Sequence, residues 1–357
     1  MRVLHILNHV QKVGNGIVNV AVDLACLQAQ AGYDVSVMSG GGDYETLLAD
    51  YGVLHFRLNQ SRTWRNLTRV GLQYRAIVQQ IQPDIVHAHM MTGAVLARSL
   101  KLWNKYGLVT TVHNEFQESA NLMGVADRVI AVSQAVSKSM QQRGIPQHKL
   151  RVVTNGTLES PRAGSLKDCL PVCLQRPAIT TVAGMNSRKG ITELIAAFEQ
   201  VALDCPDAHL YLVGHGPEKE QFQAQAHQTL VADRIHFEGF QADPRAYLLS
   251  TDVFVLASHR EPFGLAISEA REVGCAIVAS RVDGIPEVLE HGKAGLLVPP
   301  KDSQALATTI ADLLKNSTKL NYWKEQANKN LNWLSVARVV TETLGVYSEL
   351  MPNSNVM

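Results

Sequence analysis

A strand–helix–strand rhythm runs through these 357 residues twice, with a break between the two runs, and no other feature constrains the fold as much. Val3 to Leu7 reads as a short buried strand. Gly16 to Ala31 reads as a helix with Val20, Leu24 and Leu27 on one face; Gly32 ends it and Val35 to Met38 forms the next strand. Ile85 to Ala88, Leu108 to Val112, Arg128 to Val132 and Leu150 to Val153 carry the run on until the turn pair Asn155-Gly156. Thr157 to Pro177 then holds Pro161, Gly164, Pro171 and Pro177 with no clear period. The rhythm restarts with a strand at Ile179 to Ala183, a helix at Ile191 to Leu203 and a strand at His209 to Val213, followed by strands at Val253 to Ala257 and Ala276 to Ala279 and a helix at Leu306 to Leu314. Strands alternating with helices imply parallel sheets of βαβ units, and at roughly 150 residues per domain the length implies about two domains. The expected fold is α/β: two Rossmann-like domains, 1–160 and 178–334, facing each other across a deep cleft. A linker spans 161–177, and a closing helix at about 335–357 can pack back on the first domain. Ligands of such sheets sit beyond the carboxyl ends of the strands.

Composition narrows the function classes. With 46% hydrophobic and 18% charged residues the chain can bury sizeable cores, which argues against disorder. Basic and acidic side chains number 33 and 32, so the formal net charge is +1 and bulk nucleic-acid binding is not expected. No apolar run approaches the ~18 residues of a membrane span, and Met1 to His9 turns polar too soon for the apolar region of a secretion signal. Cys26, Cys169, Cys173, Cys205 and Cys275 are odd in number and form no C-x-x-C. A disulfide framework or zinc site is therefore not expected, and the expected location is the cytoplasm. One stretch departs from the charge balance. Tyr51 to Pro83 lacks Asp and Glu but carries Arg57, Arg62, Arg65, Arg69 and Arg75, with Trp64 and Tyr74 nearby. It suits a solvated helix face, or a peripheral contact with anionic lipid at the inner face of a membrane.

The densest chemistry lies in Arg260-Glu261-Pro262-Phe263-Gly264-Leu265-Ala266-Ile267-Ser268-Glu269-Ala270. A strand runs into a loop holding Glu261, and a helix starts near Gly264. Unpaired amides at Phe263, Gly264 and Leu265 make a site for an anion or an oxygen-rich ligand. Glu269, four residues after Leu265, projects from the same helix face. Two carboxylates then accept hydrogen bonds from vicinal hydroxyls, as on a sugar or a ribose. A single glutamate would have a plainer reading as a helix-dipole partner; the pair in this context favours a site. In Gly184-Met185-Asn186-Ser187-Arg188-Lys189-Gly190, two cations stand just before a helix, where they oppose its dipole unless an anion binds. Gly14-Asn15-Gly16 forms a tight turn between the first strand and helix. His87, His89 and His113 end strands, where an imidazole can orient a ligand.

Glu261, seven residues and Glu269 match the E-x7-E motif of retaining glycosyltransferases of the GT-B fold, and Glu261-Pro262-Phe263-Gly264-Leu265 resembles glycosyltransferase family 4 (glycosyl transferases group 1). Further resemblances are Val152 to Gly156, Leu212-Val213-Gly214-His215-Gly216-Pro217, Asp283-Gly284-Ile285-Pro286-Glu287 and Gly295 to Pro300. The resemblance implies a retaining, metal-independent hexosyltransferase. It would take a nucleotide sugar, UDP-glucose or a related UDP-sugar, and deliver to a saccharide or lipid-linked acceptor in polysaccharide, exopolysaccharide or glycolipid biosynthesis. It makes Glu261, His113, Arg188 and Lys189 catalytic. Asn15, Gly16, Arg188, Lys189, Gly214, Phe263, Gly264, Leu265 and Glu269 would hold the donor, with Glu269 on the ribose diol. No cofactor is implied, since the UDP-sugar is a substrate, and no D-x-D motif stands beside the site. Two positions depart from the family pattern: Met185 stands where an Arg is frequent, and Val18 where a Glu often helps hold the acceptor. A sugar-nucleotide epimerase of the same fold and a non-catalytic sugar-nucleotide-binding protein are the alternatives.

Overall fold

The computed structural model describes residues 1–60, 64–101 and 105–351, with 64–68 as backbone alone. The chain divides into two compact units. One comprises Met1–Arg162 and the chain from Ser335 onward; the other is Ala163–Leu334.

The first unit runs β1 (Arg2–Ile6), α1 (Gly16–Gln30), β2 (Asp34–Ser39), α2 (Glu45–Asp50), β3 (Leu54–Arg57), α3 (Trp64–Ile81), β4 (Ile85–Ala88), α4 (Met91–Leu100), β5 (Gly107–Val112), β6 (Arg128–Ala131), α5 (Gln134–Gln142) and β7 (Leu150–Val152). The second runs β8 (Ala178–Val182), α6 (Ile191–Asp204), β9 (His209–Val213), α7 (Lys219–His227), β10 (Ile235–Gly239), α8 (Arg245–Leu248), β11 (Val253–Leu256), α9 (Leu265–Glu272), β12 (Ala276–Ser280), α10 (Ile285–Val288), β13 (Leu296–Val298), α11 (Ser303–Lys315) and α12 (Ser317–Ala327). A last helix, α13 (Val336–Ser348), belongs to the first unit.

Both sheets are parallel, in the orders β3-β2-β1-β4-β5-β6-β7 and β10-β9-β8-β11-β12-β13. This is the α/β GT-B architecture of two Rossmann-like halves. Strands such as Val253–Leu256 and Ala276–Ser280 are buried along their whole length, as expected where helices cover both faces of a parallel sheet. In each sheet the winding reverses beside the first strand, between β1 and β4 and between β8 and β11. Connections depart in opposite directions there and leave a crevice at the carboxyl ends, which is where open α/β sheets bind ligands.

One cap starts α13 and two contacts hold it to the rest of the first unit. Ser335 caps it, Arg338 donates to the carbonyls of Thr154 (2.7 Å) and Asn155 (3.2 Å), and Glu349 accepts from Arg128 (2.6 Å) and Arg151 (2.7 Å). Within the same unit Asp23, nearly fully buried, takes both Nε (2.9 Å) and Nη2 (3.0 Å) of Arg162 and the hydroxyl of Ser160 (2.7 Å). That bidentate pairing offsets part of the cost of burying the charge.

The basic stretch spans β3 and α3. Arg57 lies on β3 and pairs with Glu45 at 3.0 Å. Tyr74 points into the core, where its hydroxyl meets that of Tyr106 at 2.9 Å. Arg69 and Arg75 are exposed on α3. Arg62 and the side chains of Trp64 and Arg65 lie outside the described residues. Among the described residues no helix is long and apolar enough to cross a membrane.

Candidate active site

The second unit builds its site from the two loops that leave β8 and β11. After β8 the chain passes Gly184 and a buried Met185, then makes one tight turn over Ser187–Lys189 and enters α6 through Gly190. Gly190 has φ +66°, and a Cβ there would lie 1.9 Å from the carbonyl oxygen of Ala257. Only glycine lets the first loop lie this close to the end of β11. Lys189 is thereby brought to Glu261, with Nζ to Oε2 at 2.5 Å. Ser258 donates to the same oxygen at 3.2 Å. Glu261 is 7% exposed, so the ion pair works in a medium that screens it far less than water does. Arg188, one residue earlier, donates through Nη1 to the carbonyl of Arg260 at 2.9 Å.

The loop carrying Glu261 is held from a third side. Asp283 accepts the amide of Glu261 (2.9 Å) and Nε of Arg260 (2.8 Å), and the amide of Gly284 donates back to the carbonyl of Glu261 (3.0 Å). Asp283 adopts φ +41° to do this, a strained conformation for a side-chain-bearing residue. Gly284 is required as well, because a Cβ there would lie 2.1 Å from the carbonyl oxygen of Pro262. Gly264, at φ +100°, caps α9. Among the described residues no acceptor meets the amides of Phe263, Gly264 and Leu265, and they offer donors at the positive end of a helix. The Phe263 ring is buried edge-on to Trp333, so this residue can reach a ligand through its backbone alone. Glu269 stands half-buried on the second turn of α9. Gly214 has a packing role: its Cβ would fall 1.9 Å from the carbonyl oxygen of Ala183, so it lets the loop after β9 close on the loop after β8.

The first unit has a neutral counterpart at its own switch point. Asn15 is the N-cap of α1, its side chain accepting the amide of Ile17 at 3.0 Å, and Gly16 is the first helical residue. Val18 is fully buried. His5 on β1 is in register with His87 on β4, which is in register with Val109 on β5. Because side chains alternate along a strand, His5, His87, His89, Thr111 and His113 share one face. All are buried there. His5 Nδ1 meets His89 Nε2 at 3.0 Å, and His89 Nδ1 meets His113 Nε2 at 3.1 Å. His5 Nε2 meets Gln28 Oε1 at 2.9 Å. His87 is held by Thr111 Oγ1 (2.7 Å) and by the hydroxyl of Tyr347 (2.6 Å), which comes from α13. Burial keeps all four rings neutral: it lowers His5 to about 4 and His113 to about 3, and takes His87 and His89 well below the usual imidazole value. The nearest nitrogens of His5, His87 and His89 lie within 4.8 Å of one another, a spacing a metal ion could use. All six ring nitrogens already meet a protein partner.

Thus Lys189 and Glu261 are in direct contact, Arg188 and the α9 amides belong to the same pair of loops, and His87, His89 and His113 form one hydrogen-bonded group. Sequence reasoning did not assign Ser258, Asp283, His5, Gln28 or Tyr347. The signal available for the histidines was the spacing His87-x-His89 and Thr111-x-His113 on adjacent strands.

The chain matches the family Glycosyltransferase Family 4 over residues 14–157 and the family Glycosyl transferases group 1 over residues 173–330. It is 27% identical over 185 residues to the lipopolysaccharide core biosynthesis glycosyltransferase LpsE of Rhizobium meliloti (strain 1021), a match covering 52% of this chain and 53% of that one. It is 26% identical over 274 residues to the N-acetyl-alpha-D-glucosaminyl L-malate synthase of Bacillus anthracis, covering 71% of each. The crystal structure of Anabaena HepE in complex with UDP and glucose superposes with a TM-score of 0.81 at 21% identity, over 97% of this chain and 99% of that one.

Proposed function

The chain is a glycosyltransferase of the GT-B fold resembling glycosyltransferase family 4, and from that premise we propose that it moves a hexose from a UDP-sugar to a hydroxyl of a saccharide or lipid-linked acceptor with retention at the anomeric carbon. The observation that carries the proposal is the Lys189–Glu261 contact at the β8/β11 switch point, beside the amides that open α9. The Lys189 ammonium is held by a carboxylate at a place where a diphosphate can share it. As the glycosidic bond breaks, negative charge grows on the departing diphosphate, and Lys189, Arg188 and the amides of Phe263 to Leu265 stabilise it there without a metal ion. Glu261 accepts hydrogen bonds from sugar hydroxyls, and Glu269 takes the ribose diol. The acceptor hydroxyl attacks from the face the diphosphate leaves, and its proton goes to that diphosphate. In the first unit Asn15, Gly16 and His113 contact the substrates.

The UDP-glucose donor finds support in the neighbour solved with UDP and glucose, and a role in polysaccharide or lipopolysaccharide assembly in the name of LpsE. A cytoplasmic location with peripheral membrane contact fits the exposed Arg69, Leu72 and Arg75 of α3. The test is Lys189→Ala, assayed with a panel of UDP-sugars and with product anomers read by NMR. We expect kcat to fall about 10²- to 10³-fold, the scale of losing one preorganised charge-stabilising donor, and the wild-type product to keep the donor's α configuration. Near-normal turnover in a folded Lys189→Ala, or a β product, overturns the proposal.

A further inference from the structure

We propose that Gln28 fixes the tautomer of His113 from a distance, through His5 and His89, so that His113 offers a ligand the lone pair of Nδ1 and not an N–H. A neutral imidazole has one N–H and one lone pair, so a row of hydrogen-bonded imidazoles must point one way from end to end. The direction is set where the row meets a group of fixed polarity. The carbonyl oxygen of Gln28 can only accept, so His5 carries its proton on Nε2. His5 Nδ1 is then an acceptor, and His89 must donate from Nε2. His89 Nδ1 is left an acceptor, and His113 must donate from Nε2. The Nδ1 of His113 is thus a lone pair, and among the described residues it has no partner.

The same amide touches a second branch. Its NH2 group donates to the Tyr347 hydroxyl at 3.4 Å, and that hydroxyl and Thr111 Oγ1 meet the two ring nitrogens of His87. The acceptor end of Gln28 thus sets the Nε2–H form of His5, His89 and His113, and the second branch is compatible with the same form for His87. The rings are buried and the only charges felt by any of them would be one another's, so the row stays neutral and its polarity persists through the ordinary working range of pH. Gln28, His5 and His89 are positioning residues. At the site itself the consequence is selective: a ligand group that donates, such as a sugar hydroxyl, is accepted at Nδ1, while a group that can only accept meets a lone pair.

The ligand half of this inference rests on the assignment of His113 to the substrate site; the tautomer half does not. The first test is therefore made without substrate. In the full chain with 15N-labelled histidine, long-range 1H–15N spectra report the tautomer of each ring. We expect Nε2–H for His5, His89 and His113. His89→Leu should cut the row and leave His113 a mixture of tautomers. His89→Gln should keep it, since its amide donates at one end and accepts at the other. Wild-type His113 in the Nδ1–H form, or an unmixed His113 in folded His89→Leu, overturns the inference, and the wild-type spectrum decides even if His89→Leu does not fold. The second test is transfer. His89→Leu should lower kcat/KM about tenfold or more, with His89→Gln retaining most of it. A mixed His113 with unchanged kcat/KM removes the ligand half, whereas absence of any transfer by the wild-type chain would instead remove the proposed function.

Discussion

Lowering the pH from 7.5 to 5.0 should destabilise the first unit far more than the second. Four imidazoles in the first unit are buried and neutral, and their folded values lie far below 6.5, at about 4 for His5 and about 3 for His113. The unfolded chain binds protons on all four as the pH falls through about 6.5, and the folded chain does not. Stability is therefore complete above that pH and declines below it, down to the folded values. For one group with an unfolded value of about 6.5, the loss between pH 7.5 and 5.0 is about 2 kcal/mol. His5 and His113 together lose about 4 kcal/mol, and His87 and His89 act with the same sign, against the roughly 5–15 kcal/mol that is the whole stability of a domain. The window is chosen to isolate them. Glu45 and Glu349, whose carboxyls hydrogen bonds hold low, lose their contribution only at more acid pH, and Asp23, raised by burial, acts in the opposite sense. His55 is also lowered by burial and adds to the effect with the same sign. In the second unit burial lowers His209, a half-buried ring, with the same sign. The assay is hydrogen exchange read by mass spectrometry at both pH values, corrected for the intrinsic rate. Amides of β1, β4 and β5 should lose most of their protection, and those of β8, β11 and β12 should keep theirs. Equal protection of β1 and β4 at the two pH values would refute the reasoning.

Two further outcomes follow from the second unit. Glu269→Ala should weaken binding of UDP about tenfold by calorimetry, since a carboxylate accepting from a ribose diol contributes on the order of 1.5 kcal/mol or more; an unchanged dissociation constant would contradict the assignment. Gly190→Ala should cost far more stability than Gly32→Ala. Both have positive φ, but the added methyl at 190 would lie 1.9 Å from the oxygen of Ala257 while that at 32 meets nothing within 4 Å. Gly32→Ala should cost about 1 kcal/mol, and equal melting temperatures for the two variants would contradict the close approach.

The elements legible in the sequence are those whose signal is local. Val253–Leu256 and Ala276–Ser280 are unbroken apolar runs because both their faces are covered. The loop from Glu261 to Glu269 is one stretch of chain whose chemistry is written in consecutive residues. β3, β10 and β13 escaped because they are short: Leu54-His55-Phe56-Arg57 does alternate apolar and polar residues, but so brief an alternation does not stand out from the loops around it. The necessity of Gly190 and Gly284 is invisible in one dimension, because the atoms they avoid belong to Ala257 and Pro262. The histidine row was hidden for the same reason. Gln28 and Tyr347 stand 319 positions apart, and nothing near either residue announces the other.

The first six strands of each unit follow one order, yet the two switch points carry opposite chemistry. In the second unit the loop after β8 supplies cations and the loop after β11 a buried carboxylate, so the site answers a ligand of high charge. In the first unit His5, within β1, and His89, just past β4, are imidazoles that burial keeps neutral. A charged residue placed there would face a desolvation cost with no counter-charge beside it. A neutral polar face can bind hydroxyls without attracting the anion proposed for the other unit. Adding a positive charge to the first unit's face, for example by His113→Lys, should therefore impair binding of a neutral acceptor more than binding of UDP. KM values measured separately for donor and acceptor would show whether the two functions are divided in this way, and a variant with equal effects on both would show that they are not.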